Sequence, residues 1–67
     1  MENEKLTGKE KEIVKLIRDG KSYKKIEDIL KIKESTLNTH ISHIHLKTHT
    51  HSIGELILWA LKNPDEL

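Results

Sequence analysis

The chain has 67 residues, of which 34% are hydrophobic and 34% charged, with a formal net charge of +1 and no cysteine. A chain of this length forms one small domain, spanning residues 1–67, which leaves no room for separate cofactor and substrate domains. The lack of cysteine excludes disulfides and thiolate metal sites. No apolar run reaches the roughly 20 residues that span a bilayer, and the N-terminus lacks the pattern of a signal peptide, so we expect a cytoplasmic protein without a membrane partner.

Capping residues and apolar spacing predict two helices in the first half of the chain. Thr7 and Glu10 have the spacing of a capping box, and Gly20 is a natural left-handed stop, so the first helix is expected over about 8–19. Ser22 can cap a second helix over about 23–30. Its inward face is predicted to consist of Ile26, Ile29 and Leu30.

The second half predicts two further helices, over about 35–47 and 53–62. The first of these has apolar side chains at helical spacing and a small polar outer face. The inward residues are Leu37, Ile41 and Ile44, with His40 a less certain member, and the outward ones include Asn38, Thr39, Ser42 and His45. Ser52 and Glu55 form a second capping-box pattern, Asn63-Pro64 stops the last helix, and residues 65–67 are expected to fray.

Charge is distributed unevenly along the chain. The 20 residues 35–54 contain no Asp or Glu, although acidic residues are frequent before and after them, and all five histidines lie in this window. A segment without acidic residues is typical of a surface that binds a polyphosphate backbone, because a carboxylate there would repel the phosphates. A chance gap in the acids is the alternative interpretation.

Two short helices joined by a tight turn, the second with a polar outer face, are typical of a helix-turn-helix. In that motif the first helix supports the second, which lies in the major groove of DNA. A helical hairpin that only contributes to a core has the same pattern. These features therefore favour double-stranded DNA as the partner without deciding the question.

The residues also resemble the LuxR/FixJ/GerE-type helix-turn-helix domain of bacterial transcription regulators. The similarity covers four blocks in order, at residues 6–17, 20–26, 30–47 and 52–60, and includes Ser35-Thr36-Leu37 at the start of the third helix. The resemblance implies an all-α, four-helix helix-turn-helix domain, related to winged-helix folds but without a wing. It implies sequence-specific duplex DNA binding as a transcriptional regulator, or as the output domain of a response regulator, with residues 35–47 as the recognition helix.

Position by position, the resemblance places one set of side chains near bases and another near phosphates. The base-facing residues would be Asn38, Thr39 and Ser42, and the phosphate-facing ones Lys24, Thr36, His43 and Lys47, with Ser35 opening the helix. The closing helix often mediates dimer contact in the family, and Leu58 and Leu61 are the expected outer positions of a homodimer interface.

The sequence departs from the family after Ile44. The usual Leu-Gly-Val aligns with Thr48-His49-Thr50, which leaves a core position without its apolar residue. Two arrangements are open for Leu46, which either points outward, as its alignment implies, or turns inward to replace the missing leucine.

Two other classes of function are alternatives to DNA binding. One is a protein-interaction or dimerisation module whose histidine-rich segment binds a metal, but no cysteine or nearby carboxylate completes a ligand set, so neither a metal nor a cofactor is expected. The other is an enzyme. No phosphate-binding glycine loop, zinc-protease motif or nucleophile with a paired base is present, so we expect neither catalysis nor a small-molecule substrate.

Overall fold

The computed structural model describes residues 5–67 as four α-helices followed by a short 3-10 turn. The helices are α1 (Gly8–Arg18), α2 (Tyr23–Leu30), α3 (Glu34–Thr48) and α4 (Ile53–Lys62), and the turn is Pro64–Glu66. This confirms the all-α, four-helix expectation. Helix α1 ends one residue earlier than the sequence suggested, and α3 extends one residue further at each end.

Helices α1, α2 and α4 begin at the side-chain caps expected from the sequence. Thr7 accepts a hydrogen bond from the backbone N–H of Glu10, whose carboxylate accepts in return from the N–H of Thr7. Ser22 accepts from the N–H of Lys25. Ser52 accepts from the N–H of Glu55, but the Glu55 carboxylate bonds the N–H of His51 rather than that of Ser52, so only half of the second capping box forms.

The core lies where α1, α3 and α4 meet, with α2 closing one side. Ile13, Ile26, Leu37, Ile44 and Leu56 are fully buried. Burial of one such side chain stabilises the fold by about 1.5–3 kcal/mol. Trp59 is half-buried at the edge of this core, and Leu67 packs against it as well, so the tail that was expected to fray is instead folded back.

Three turns end their helices with a residue in the left-handed backbone region. Gly20 (φ 87°) follows α1 as predicted, Lys31 (φ 58°) follows α2, and His49 (φ 59°) follows α3. In each turn the next residue's N–H reaches back five residues to a helix carbonyl, at 3.0–3.1 Å. Only the first of these turns has the glycine that this conformation favours.

One apolar residue of α2 that was predicted to face inward is instead exposed. Ile26 is buried and Leu30 half-buried, but Ile29 is 45% exposed. Ile29 lies beside Leu30 in an open groove that Leu16 of α1 also lines, so its side chain stays accessible although it follows Ile26 by only three residues. Within residues 5–67, none of the helices is long and apolar enough to cross a bilayer.

Candidate nucleic-acid interface

Helix α3 has one face buried in the core along its whole length and the opposite face exposed to solvent. Leu37, Ile41, Ile44 and Thr48 point into the core, as three of them were predicted to do. His40 is half-buried. The exposed residues of the helix include Ser35, Thr36, Asn38, Thr39, Ser42, His43 and Leu46.

The predicted contact residues fall into a central row and two flanks. Residues separated by four or seven positions share a side of a helix, so Ser35, Thr39 and Ser42 form the centre of the exposed face. Asn38 lies on one flank. Thr36, His43 and Lys47 lie on the other, and Lys24 is exposed in the first turn of α2. The three residues predicted to face bases thus lie at the centre and one edge of the face, and Thr36, His43 and Lys47, predicted to lie near phosphates, share the other edge.

The hydroxyl of Thr39 already has a partner within the helix. It donates to the carbonyl oxygen of Ser35 at 3.0 Å. With its one hydrogen engaged, Thr39 offers an outside group only acceptor lone pairs and its methyl group. Asn38 carries both a donor and an acceptor, the pair that can bond an adenine edge bidentately.

Lys47 forms an ion pair that the sequence analysis did not anticipate. Its Nζ lies 2.8 Å from Oε1 of Glu10, which is buried, and the Lys47 side chain is 25% exposed. The same oxygen accepts from the N–H of Thr7. The pair therefore ties the C-terminal end of α3 to the cap of α1. No local signal could have predicted it, since 37 residues separate the partners.

The pKa of Glu10 reflects this environment. Burial alone raises the pKa of the carboxyl, but the hydrogen bonds from Lys47 and Thr7 and the nearby charges of Lys47 and His43 outweigh it and lower the pKa below its usual value. Glu10 is therefore ionised at neutral pH. Its charge offsets part of the positive charge of Lys47, although an ammonium has three donors and others remain for a phosphate oxygen.

A chain of hydrogen bonds replaces the missing apolar core after α3. The Thr48 hydroxyl donates to the carbonyl of Ile44 at 2.9 Å. Because Thr48 has a single hydroxyl hydrogen, its 2.9 Å contact with the Thr50 hydroxyl must have Thr50 as the donor. Thr50 then accepts from Nδ1 of His45 at 2.8 Å. This accounting assigns the ring hydrogen to Nδ1 and leaves Nε2 of neutral His45 as an acceptor.

These bonds correct one expectation about the end of α3 and decide between the two arrangements that were open for Leu46. His45 was predicted to point outward, but it is half-buried because its ring is held by Thr50. Leu46 points outward and is 73% exposed, so it does not replace the missing leucine. Thr48 and Thr50 are buried in that region with their hydroxyls paired, which removes the need for Leu46 to turn inward.

The histidines do not assemble a metal centre in the part of the chain that the structure describes. His45, His49 and His51 line one open groove with Ser42, Leu46 and Thr50. No group of three or more His, Asp or Glu side chains within residues 5–67 is placed to hold a metal ion.

On α4, the two leucines expected to face outward do so. Leu58 is 57% exposed and Leu61 is 61% exposed, whereas Leu56 and Ala60 are buried. They lie three positions apart and thus share one side of the helix.

The geometry defines a helix-turn-helix domain, with α2 as the supporting helix and α3 as the recognition helix. Residues 4–60 match the model for "Bacterial regulatory proteins, luxR family". The chain therefore belongs to the luxR family of bacterial regulatory proteins, and it is a DNA-binding module of transcription regulation.

Two relatives support this membership. The chain is 44% identical over 57 residues to the "Uncharacterized response regulatory protein YgeK" of Escherichia coli (strain K12), covering 85% of this chain and 39% of that protein. It is also 44% identical over 52 residues to the "Monoamine regulon transcriptional regulator" of Klebsiella aerogenes, covering 78% of this chain and 23% of that protein. The chain thus spans less than half the length of these relatives. No solved structure gave a significant match.

Proposed function

We propose that this domain recognises a specific duplex DNA sequence by placing the exposed face of α3 in the major groove. The observation that carries the proposal is that this face is exposed, polar apart from Leu46, and free of acidic residues from Ser35 to the end of the helix. A carboxylate on the face would repel phosphates, and bulky apolar side chains over its whole length would favour a protein partner instead.

Base recognition is proposed for Asn38, Thr39 and Ser42. Asn38 supplies the bidentate donor and acceptor, and Thr39 and Ser42 supply acceptors or a methyl group on the central row. Phosphate contact is proposed for Lys24, Ser35, Thr36, His43 and Lys47. Thr36 and Ser35 lie in the first turn of α3, where backbone N–H groups also favour an anion.

The test is a selection of bound duplexes from a random-sequence pool, using the purified chain at low salt with a chelator present. We expect an enriched half-site. The Asn38→Ala variant should lose about tenfold in affinity for that site, because a good bidentate contact is worth about 1–3 kcal/mol. Its affinity for unselected DNA should be unchanged. A pool retained without enrichment would contradict the proposal.

A matched variant separates base reading from phosphate binding. Thr36→Ala should weaken binding to selected and unselected duplexes alike, since a phosphate contact positions the protein without reading sequence. Equal behaviour of the two variants would mean that Asn38 reads no base.

We also propose that the domain binds DNA as a homodimer through α4. The exposure of Leu58 and Leu61 on one side of that helix favours this arrangement, and paired half-sites are the usual counterpart of a dimeric reader. Leu58→Glu should then weaken binding to a two-half-site duplex while leaving the circular dichroism spectrum unchanged. If affinity for the paired site stays the same, α4 is not the dimer contact.

The proposed role is that of the output part of a bacterial transcriptional regulator acting in the cytoplasm, where it meets the chromosome. The printed names of the two relatives, a response regulatory protein and a transcriptional regulator, support this role. The proposed activity is binding rather than catalysis. If a fusion of this chain to a fluorescent protein colocalises with the nucleoid, that result supports both the cytoplasmic location and DNA as the partner.

A further inference from the structure

Leu46 is the most exposed of the large hydrophobic side chains in residues 5–67, and it lies on the central row of the proposed DNA-binding face, near the C-terminal end of α3. It is 73% exposed, more than Leu58 or Leu61 on α4. Ser35, Thr39, Ser42 and Leu46 are separated by four, three and four positions, so they follow one line along α3. Leu46 thus continues the line of Thr39 and Ser42, to which base contacts are assigned.

The structure shows why the side chain of Leu46 points outward and does not turn into the core. Thr48 and Thr50 are buried below it with their hydroxyls paired, and Ile44 and Thr48 occupy the inward side of the last turns. Lys47 on the following position is held by Glu10 at 2.8 Å, which fixes the rotation of the helix end. The side chain of Leu46 is therefore presented to whatever lies against α3.

Leucine has no donor or acceptor, so on a DNA-binding face it can contact only apolar groups. In the major groove, the exposed apolar group of a base pair is the C5-methyl group of thymine. The neighbours of Leu46 along the groove, Ser42, His45 and His49, include no carboxylate that would repel a phosphate backbone beside that methyl group.

We propose that Leu46 is a specificity-determining residue that contacts a thymine methyl group at the end of the half-site read by Asn38, Thr39 and Ser42. This inference rests on the proposed function, because it requires α3 to lie in the major groove. It adds to that function one preferred base, thymine, and one position, the end of the half-site beneath the last turns of α3.

The experiment compares thymine with uracil, which differ by this methyl group alone. The duplex selected by the unmodified chain is synthesised with each dT replaced in turn by dU. We expect one replacement to weaken binding about fourfold, which is the effect of removing one buried methyl group. For Leu46→Ala, the same replacement should have no effect, and that variant should bind the dT and dU duplexes equally.

Two variants serve as controls. Thr39→Ser tests the other methyl group on the central row, and it should leave the sensitivity at the Leu46 position intact. Ile29→Ala removes an exposed apolar side chain from α2, in a groove shared with α1, and should also leave that sensitivity intact. Folding of every variant is checked by thermal unfolding, and Leu46→Ala should unfold at nearly the wild-type temperature because the side chain is exposed.

The outcomes separate this inference from the proposed function. If no sequence is enriched, both fail. If a site is enriched but no dU replacement matters, or if the sensitivity persists in Leu46→Ala, only the role of Leu46 fails. If Leu46→Ala instead reduces self-association of the free chain in sedimentation and leaves the methyl sensitivity unchanged, the side chain belongs to a protein contact and the inference is overturned.

Discussion

The two ends of α3 differ in how they are held. At its N-terminal end the helix begins at Glu34, its N-cap residue Lys33 makes no side-chain cap hydrogen bond, and Ser35, Thr36, Asn38 and Thr39 are exposed. At its C-terminal end Lys47 is paired with Glu10, and Thr48 takes part in a hydrogen-bond chain that starts at His45. The first end presents exposed polar side chains to a partner. At the second end the polar side chains of His45, Lys47 and Thr48 are engaged within the fold, while the apolar Leu46 stays exposed.

This difference separates recognition from support within one helix. Substitutions at the exposed end should change DNA binding with little effect on folding. Substitutions of His45 and Thr48, whose side chains are engaged within the fold at the other end, should change the free energy of unfolding and affect DNA binding only through the orientation of the helix. The predictions below test this division, from the largest expected effect to the smallest.

The largest effect is expected from breaking the ion pair between α1 and α3. Glu10→Gln should lower the free energy of unfolding by about 2 kcal/mol, because the part-buried hydrogen bond from Lys47 loses its charge assistance and Lys47 is left without its counter-charge. Urea unfolding measures the loss. The matched control is Glu12→Gln on the same helix, whose carboxylate is 59% exposed and 3.9 Å from Lys9, and which should lose less than about 0.5 kcal/mol.

The same ion pair predicts how stability depends on pH. The pKa of Glu10 is lower in the folded chain than in the unfolded one, so its contribution is present above the unfolded pKa and is lost as the pH falls through the folded pKa. The gap in unfolding free energy between wild type and Glu10→Gln should therefore be widest near pH 7 and narrow below about pH 4. A gap that stays constant down to pH 3 would mean that the charge of Glu10 contributes nothing.

A smaller effect is expected from the hydrogen-bond chain after α3. Thr50→Val keeps the shape of the side chain but removes both the acceptor for His45 Nδ1 and the donor to Thr48, so it should cost about 1 kcal/mol of stability. Nitrogen NMR of the His45 ring gives a second measurement. Wild type and Thr50→Ser should show the Nδ1–H form at pH 8, and Thr50→Val should lose that preference. An Nε2–H ring in the wild type would reverse the direction assigned to the chain.

The sequence could predict the features that depend on local contacts, but not those that depend on contacts between distant residues. The caps at Thr7 and Ser22, the stop at Gly20 and the inward face of α3 depend on residues within one or two turns, and the structure confirms them. The sequence could not decide the orientation of Leu46, because that orientation depends on whether the buried hydroxyls of Thr48 and Thr50 find hydrogen-bond partners.

The ion pair between Glu10 and Lys47 could not be predicted, since only the packing of α1 against α3 brings these side chains together. The roles of Asn38, Thr39 and Ser42 came from the resemblance to the family and remain predictions. What the structure adds is their exposure and their arrangement in rows along one face.

The smallest effect concerns the turn that leads into the exposed end of α3. Lys31 has φ 58°, a left-handed conformation in which a side chain costs free energy that glycine does not. Lys31→Gly should raise the free energy of unfolding by about 0.5 kcal/mol, because relief of this strain exceeds the entropy that glycine adds to the unfolded chain. Lys21→Gly is the control, since Lys21 is also an exposed loop lysine but does not have positive φ, and it should lose stability. If both variants lose stability, the backbone of Lys31 is not strained, and glycine at this turn only adds entropy to the unfolded chain.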